Sequence, residues 1–350
     1  MDSLTQITLG ACVAAACVPP EQRRKAALVG AALGTLPDLD VFIDYGGPVE
    51  NFTMHRGFSH SLFVLAGFGA LLWIALRRLW PAARQAPGRW FAAIFLALLT
   101  HPLLDAHTAY GTQLFWPSGS NPVSWATIFI IDPLYTLPLL AGMIAVLIRP
   151  ASKAAGRWLM AGLALSTLYL GWSWTARTIV TANAQRSLDA QGITDVRLFI
   201  TPAPLNTLLW RVVAKTNGGY YEGLDSVVAD DGSIEFIFRP SDDQALAAAL
   251  PYVPAAQRLQ WFANGFVGAA VQDDTLTMTD LRMGQHPDYV FRHSVARRGN
   301  PHWHAIEAQR LPTRIGTEFL ASLWRRIWTD AAVTTGFTAP PRARPSSAGL

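Results

Sequence analysis

Six side chains with the chemistry and spacing of metal ligands lie near the ends of apolar segments in the first third of the chain. His101 and Asp105 are four residues apart, so a helix places them on one face. Two aspartates flank a leucine directly after Pro37, where a turn can direct both carboxylates inward. Mixed nitrogen and oxygen ligands suit Zn²⁺, Mn²⁺ or Fe. The predicted ligands are Asp38, Asp40, His55, His60, His101 and Asp105.

Six ligands exceed what one catalytic zinc uses, so the sequence predicts one or two divalent ions, with zinc favoured and Mn or Fe as alternatives. Two further residues are catalytic candidates. Asp132, next to Pro133, can act as a general base or orient a histidine. Arg56 can bind an anionic group of the substrate. Each of these residues also has a structural alternative, such as a helix cap, a turn, a kink or an interfacial contact.

The composition indicates a membrane protein. Of 350 residues, 51% are hydrophobic and 15% are charged, whereas soluble domains average about 25% charged residues. This excludes a disordered protein, a coiled coil and an ordinary cytosolic enzyme. The net charge is +4, but the basic residues lie at the ends of apolar runs rather than on one soluble face. They therefore indicate membrane topology, and no nucleic-acid partner is expected.

Six apolar segments are predicted to cross the membrane. Basic residues occupy alternate loops, around 23–25, 77–89 and 149–157, so these loops should share the cytoplasmic side. All six predicted ligands then fall at the opposite, extracytoplasmic face of the membrane. The predicted segments are residues 4–18, 26–43, 58–79, 90–105, 124–148 and 156–182.

The chain after Ala184 has the composition of a soluble domain. Runs rich in β-branched and aromatic residues, with a turn at Asn217-Gly218, predict a mainly antiparallel sheet. The predicted fold class is therefore an all-α membrane domain followed by a smaller soluble α+β domain. The expected domains are a transmembrane metal-site domain at 1–183, an extracytoplasmic domain at 184–337 and a disordered tail at 338–350.

Several short motifs in the first 180 residues resemble the YdjM-like family of membrane-bound metal-dependent hydrolases. They are Met1-Asp2-Ser3-Leu4-Thr5-Gln6, Gly34-Thr35-Leu36-Pro37-Asp38-Leu39-Asp40, His55-Arg56-Gly57-Phe58-Ser59-His60-Ser61, His101-Pro102-Leu103-Leu104-Asp105, Tyr110-Gly111-Thr112 and Ile131-Asp132-Pro133-Leu134-Tyr135. The resemblance implies a helical inner-membrane hydrolase, distantly similar to zinc-dependent phospholipase C. Many members have Thr-His near the start. This chain has Gln6 there, so one metal position is expected to be weaker or absent.

The leading functional hypothesis is a hydrolase in which a metal-bound water attacks an ester or phosphoester at the outer membrane face. Membrane lipids are the expected partners, and a site at headgroup level favours a lipid or lipid-linked substrate. The alternative is a cation or proton-coupled transporter. Transport predicts polar residues along the cytoplasmic half of the spans, and that half is nearly free of them. A non-enzymatic anchor for the soluble domain is a third interpretation, but it leaves the clustered ligands unexplained.

Overall fold

The computed structural model describes residues 1–313 and 316–329. A helical N-terminal region is followed by a C-terminal domain of antiparallel sheets, as the sequence predicts. The predicted tail at 338–350 lies outside the described residues. The helices of the first region are α1 (Ser3–Cys17), α2 (Arg23–Thr35), α3 (Pro48–Met54), α4 (Leu62–Leu79), α5 (Pro81–Gln85), α6 (Pro87–Asp105), α7 (Pro133–Ile148) and α8 (Lys153–Ala190).

Only two of the described helices, α4 and α6, are both long and apolar enough to cross a membrane, so the prediction of six spans is corrected to two. Each of the six predicted segments does contain a helix. However, α1, α2 and α7 have 15, 13 and 16 residues, which at 1.5 Å per residue is less than the roughly 30 Å of a hydrocarbon core. Helix α8 has 38 residues, but Lys153 and Arg157 near its start and polar residues in its second half, such as Ser173, Thr175 and Arg177, shorten its apolar run.

The fifth predicted segment starts later than expected. Its helix, α7, begins at Pro133, because Asp132 caps it and accepts hydrogen bonds from the backbone N–H groups of Leu134 and Tyr135. Proline fits the first helical position because its missing N–H would have no partner there. Asp132-Pro133 therefore starts a helix rather than interrupting one.

Helices α1 and α2 are in direct backbone contact. A Cβ atom on Gly30 would overlap the carbonyl oxygen of Gly10, and one on Gly34 would overlap that of Gln6. Gly30 and Gly34 have the four-residue spacing that lets two helices approach closely within a membrane. This contact fixes the end of α2, from which a 3-10 turn at Leu36–Phe42 continues directly.

The C-terminal domain contains two four-stranded antiparallel sheets, ordered β1-β2-β3-β4 and β10-β9-β6-β5, and a small pair, β7-β8. The predicted turn at Asn217-Gly218 joins β2 to β3, with Thr216 paired to Gly219. The strands are β1 (Arg197–Pro202), β2 (Leu209–Thr216), β3 (Gly219–Ser226), β4 (Ile237–Pro240), β5 (Val267–Gln272), β6 (Thr275–Asp280), β7 (Gly284–Gln285), β8 (Asp288–Tyr289), β9 (Arg292–Arg297) and β10 (His304–Arg310), and the helices are α9 (Asp243–Ala249), α10 (Pro254–Phe262) and α11 (Thr317–Ile327).

The helical region packs directly against the C-terminal domain. The predicted boundary at 183/184 falls inside α8, whose last turns pack with Ile200, Trp210 and Val212. In addition, Phe52 of α3 and Tyr110 pack against Phe262 of α10, with ring centroids 4.8 Å and 5.5 Å from that of Phe262. The sheet domain therefore covers the end of the helical region at which α6 terminates.

We expect Gly30→Ala to lower the free energy of unfolding by about 1–3 kcal/mol, because the added methyl group forces α1 away from α2. The measurement is thermal unfolding of the purified protein in detergent. Gly67→Ala on α4 is the matched control, since nothing lies within 4 Å of its Cβ position. Equal unfolding midpoints for the two variants would contradict the close helix contact.

Candidate metal centre

Four of the six predicted ligands meet at one point. Asp38 lies in the 3-10 turn that follows α2, and His60 lies in the turn before α4. His101 and Asp105 lie in the last turns of α6. One ligand atom from each of the four lies within 4.8 Å of every other, and no other such group of three or more His, Cys, Asp or Glu residues occurs within 1–313 and 316–329.

The distances between these atoms match a tetrahedral metal site. His60 Nε2 lies 3.1 Å from His101 Nε2, and Asp105 Oδ2 lies 3.2 Å and 3.3 Å from these two nitrogens. Asp38 Oδ1 is 3.4 Å from His60 Nε2 and 3.5 Å from His101 Nε2. Tetrahedral zinc with bonds of about 2.0–2.2 Å places its ligand atoms about 3.3–3.6 Å apart. The five measured distances agree with this to within a few tenths of an ångström.

The second nitrogen of each imidazole has a hydrogen-bond acceptor, which directs the lone pair of Nε2 into the cluster. His101 Nδ1 is 2.6 Å from the carbonyl oxygen of Gly34, to which it donates. His60 Nδ1 donates to Ser59 Oγ at 2.9 Å, and Ser59 in turn donates to Asp40 Oδ2 at 2.5 Å. Metal-binding histidines are held by a carbonyl or carboxylate on the other nitrogen, which His101 has directly and His60 has through the Ser59 hydroxyl.

The two carboxylate oxygens of Asp105 have different environments. Oδ1 contacts the N-terminal ammonium group of Met1, the Arg56 Nη2 atom at 3.3 Å and the Gln6 Nε2 atom at 3.1 Å. Oδ2 is buried without a hydrogen-bond partner and faces the two imidazoles. A buried carboxylate oxygen without a partner is costly. A divalent cation in the cluster would remove this cost, so the residues present fit a metal ion.

Asp40 and His55, also predicted as ligands, lie beside the four-residue cluster rather than in it. His55 Nδ1 is 2.7 Å from Asp40 Oδ1, and the backbone N–H of Arg56 donates to Asp40 Oδ2. Burial acts to raise the pKa of the Asp40 carboxyl group, but the hydrogen bond and charge of His55, together with His60, bring that pKa below its ordinary value. Asp40 is therefore placed to orient two histidines.

Arg56 lies in the wall of the centre. Its backbone has a left-handed φ of 61°, which directs the side chain inward, and the residue is only 2% exposed. Its guanidinium contacts Asp105 and donates to Thr108 Oγ1 at 3.0 Å, while Nε has no partner. Burial excludes the alternative contact with a lipid headgroup at the surface. The predicted role of Arg56 in binding an anionic group stays a prediction.

Asp132, the other predicted catalytic residue, lies at the N-terminus of α7 and has hydrogen-bond partners there. Its carboxylate caps α7 and accepts a hydrogen bond from the Tyr169 hydroxyl at 2.9 Å. Burial raises the pKa of this carboxyl group above its ordinary value. The structure does not bring Asp132 into the four-residue cluster.

Sequence reasoning missed the groups that hold the ligands. The Gly34 carbonyl orients His101, and Thr108 and Tyr110 flank Arg56. The four-residue spacing of Gly30 and Gly34 was an available signal for the first of these. Gln6 donates to Asp105 and leaves its own Oε1 atom buried without a partner.

A family model described as the YdjM inner membrane protein matches residues 1–180. The chain belongs to this family. This match confirms the resemblance that the motifs predicted. The matched region contains all four clustered residues. The family is described as an inner membrane protein, which supports the predicted location of the chain in the inner membrane.

One curated relative, described as uncharacterized protein YfhP, comes from Bacillus subtilis (strain 168). It is 25% identical to this chain over 187 residues, which are 53% of this chain and 54% of the relative. The chain thus spans about half the length of this curated relative. No solved structure matches the chain.

We expect the purified protein to bind one zinc ion at the four-residue cluster, and His101→Ala to lose it, because one imidazole of four ligands is removed. His55→Ala should keep close to one ion, since His55 lies outside the cluster. Elemental analysis after dialysis against zinc measures the content of each variant, with His304→Ala, on exposed β10, as control. Equal zinc content in His101→Ala and the unmodified protein would contradict the site.

Proposed function

We propose that the chain is a membrane-bound metal-dependent hydrolase that cleaves an ester or phosphoester of a lipid or lipid-linked substrate at the extracytoplasmic face. The observation that carries the proposal is the set of two imidazoles and two carboxylates, three of the four buried, with ligand atoms 3.1–3.5 Å apart in the five measured pairs. A divalent ion bound there would lower the pKa of a water molecule and polarise the scissile group.

Four protein ligands fill a tetrahedral site, so hydrolysis requires a further position for water. Asp38 is the one ligand with an exposed side chain, at 17%, whereas the side chains of His60, His101 and Asp105 have no exposed surface. We propose that water and substrate approach beside Asp38. Catalytic zinc sites can expand to five ligands, which allows Asp38 to stay bound.

His55 is the residue best placed to carry a proton. Its Nδ1 is held by Asp40, which leaves Nε2 free to accept, and 22% of its side chain is exposed. Its ring centroid lies 6.0 Å from that of His60, next to the cluster. In the proposed step His55 takes a proton from water as the oxygen bonds to the acyl carbon or phosphorus, and returns the proton to the leaving alcohol as the ester bond breaks.

A lipid or lipid-linked substrate is supported by the surface around Asp38. The 3-10 turn that carries Asp38 and Asp40 exposes apolar side chains on its outer side, with Phe42 83% exposed. Exposed apolar patches of this kind mark contact with membranes or apolar ligands. The other exposed residues of this patch are Leu39, Val41 and Ile43.

The proposed side of the membrane for the cluster is supported by the basic residues at the opposite ends of α4 and α6. The cluster lies before α4 and at the end of α6, whereas Arg77, Arg78, Arg84 and Arg89 lie at the opposite ends or in the connection between them. Basic residues favour the cytoplasm, which supports an extracytoplasmic cluster. A transporter would need polar groups along the length of its spans. The described residues contain a single ligand cluster, at one end of α4 and α6, which does not support transport.

We expect the zinc-loaded protein to hydrolyse p-nitrophenyl butyrate or bis-p-nitrophenyl phosphate, and His101→Ala to lower kcat/KM to background, because the ion is lost. His55→Ala should keep its zinc but lose on the order of 100-fold or more in kcat/KM, as expected for a general base. His304→Ala is the control. Full zinc content without hydrolysis of either ester or of phospholipid would assign the metal a structural role and contradict the proposal.

Sidedness can be measured separately with reporter fusions. A reporter placed after residue 190, at the end of α8, should be active outside the cytoplasm, because the sheet domain packs over the end of α6 that carries the cluster. A reporter within the α4–α6 connection, at residues 80–86, should be active in the cytoplasm. A cytoplasmic signal from the first fusion would overturn the proposed orientation.

A further inference from the structure

The inner face of helix α11 is fixed on the sheet domain. Leu323 and Ile327 are buried in one cluster with Leu209 of β2. The buried guanidinium of Arg326 donates to both carboxylate oxygens of Asp230. These contacts set the rotation of α11 about its own axis, so the side chains on its outer face cannot turn inward.

The outer face of α11 carries an apolar stripe. Leu320, Trp324 and Trp328 follow one another at four-residue intervals and are 39%, 57% and 57% exposed. With 3.6 residues per turn, this spacing keeps the three side chains on one flank of the helix. The exposed charged residues Glu318 and Arg325 lie about 100–120° further round from Trp324. The exposed surface of α11 is therefore divided into an apolar flank and a charged flank.

The apolar stripe of α11 continues onto the helical region. Leu320 lines the mouth of an apolar cavity of about 460 Å³ between the two regions, together with the exposed Leu205 and Ile131. Ile131 directly precedes the residue that caps α7, and α7 exposes Leu134 and Leu137 on its outer side. An exposed apolar surface therefore runs from α7, across the mouth of the cavity, to α11.

This surface lies at the end of the helical region that carries the candidate metal centre. The backbone N–H of Asp2 donates to the carbonyl oxygen of Ile130, next to Ile131. The ammonium group of Met1 contacts Asp105 at the end of α6. The apolar stripe of α11 and the four-residue cluster are therefore both near this end of α6.

We infer that α11 lies in the surface of the lipid bilayer, with Leu320, Trp324 and Trp328 inserted among the lipids. Amphipathic helices bind membranes in this orientation, and tryptophan is enriched at the boundary between membrane and water. Large exposed apolar surfaces mark interaction sites.

The bilayer is the partner that also covers the apolar outer side of α7, in a chain whose family is described as an inner membrane protein. The charged flank of α11, with Glu318 and Arg325, then faces headgroups and water. This contact gives the sheet domain a second attachment to the membrane, besides α8. It needs neither a metal ion nor hydrolysis, so it can fail or hold independently of the proposed function.

The test uses the full chain in vesicles of phosphatidylethanolamine and phosphatidylglycerol. Cys12 and Cys17 are replaced by alanine, and a nitroxide spin label is attached at one new cysteine. Electron paramagnetic resonance then compares collisions of the label with O₂, which concentrates in hydrocarbon, and with a water-soluble nickel complex. We expect the ratio of O₂ to nickel collisions to be several-fold higher for Trp324→Cys than for Glu318→Cys, the control on the charged flank of the same helix.

A second measurement tests whether the two tryptophans hold α11 in the bilayer. In a chain labelled at Leu320→Cys, the double variant Trp324→Ser with Trp328→Ser should lower the ratio of O₂ to nickel collisions several-fold, because most of the apolar stripe is removed. Glu318→Gln, on the charged flank, is the control and should leave the ratio unchanged.

Three results would overturn the inference. The first is an equal collision ratio at positions 324 and 318, which would place both flanks in water. The second is a ratio at position 320 that the double variant leaves unchanged. The third is a spectrum at position 324 whose line broadening disappears when labelled chains are diluted with unlabelled ones, which would show that a second copy of the chain covers the stripe.

Discussion

The structure depends on the convergence of two imidazoles and two carboxylates at one point, where only Asp38 keeps exposed side-chain surface. His60, His101 and Asp105 are buried, and the free oxygen of Asp105 has no hydrogen-bond partner. Burying such groups costs several kcal/mol unless an opposite charge or hydrogen bonds compensate. The fixed orientation of each histidine directs both Nε2 lone pairs inward, where a cation is the species that satisfies all four ligands at once.

The surrounding fold holds these groups in place. The close contact of α1 with α2 positions the Gly34 carbonyl, which orients His101, and the 3-10 turn that continues α2 carries Asp38 and Asp40. Ser59 links His60 to Asp40. The sheet domain packs over the same end through α10, and the interface between the two regions encloses an apolar cavity that reaches Arg56 through Thr108.

Much of the site could be predicted from residue types and spacing. The i, i+4 pair of His101 and Asp105 and the Pro-Asp-Leu-Asp turn indicated ligands at one end of the helical region, and antiparallel hairpins followed from turn residues. The number of spans was wrong, because apolar composition does not distinguish a short packed helix such as α1 from a membrane-crossing one. The separation of Asp40 and His55 from the cluster depends on backbone geometry, such as the left-handed φ of Arg56, which spacing does not specify.

Zinc K-edge X-ray absorption of the zinc-loaded protein tests the central claim most directly. We expect four nitrogen and oxygen ligands at about 2.0–2.2 Å, with the outer-sphere scattering of two imidazoles, reduced to one imidazole in His60→Ala. A spectrum without imidazole scattering, or one unchanged by His60→Ala, would show that the metal lies elsewhere and would contradict the claim that these four side chains share one ion.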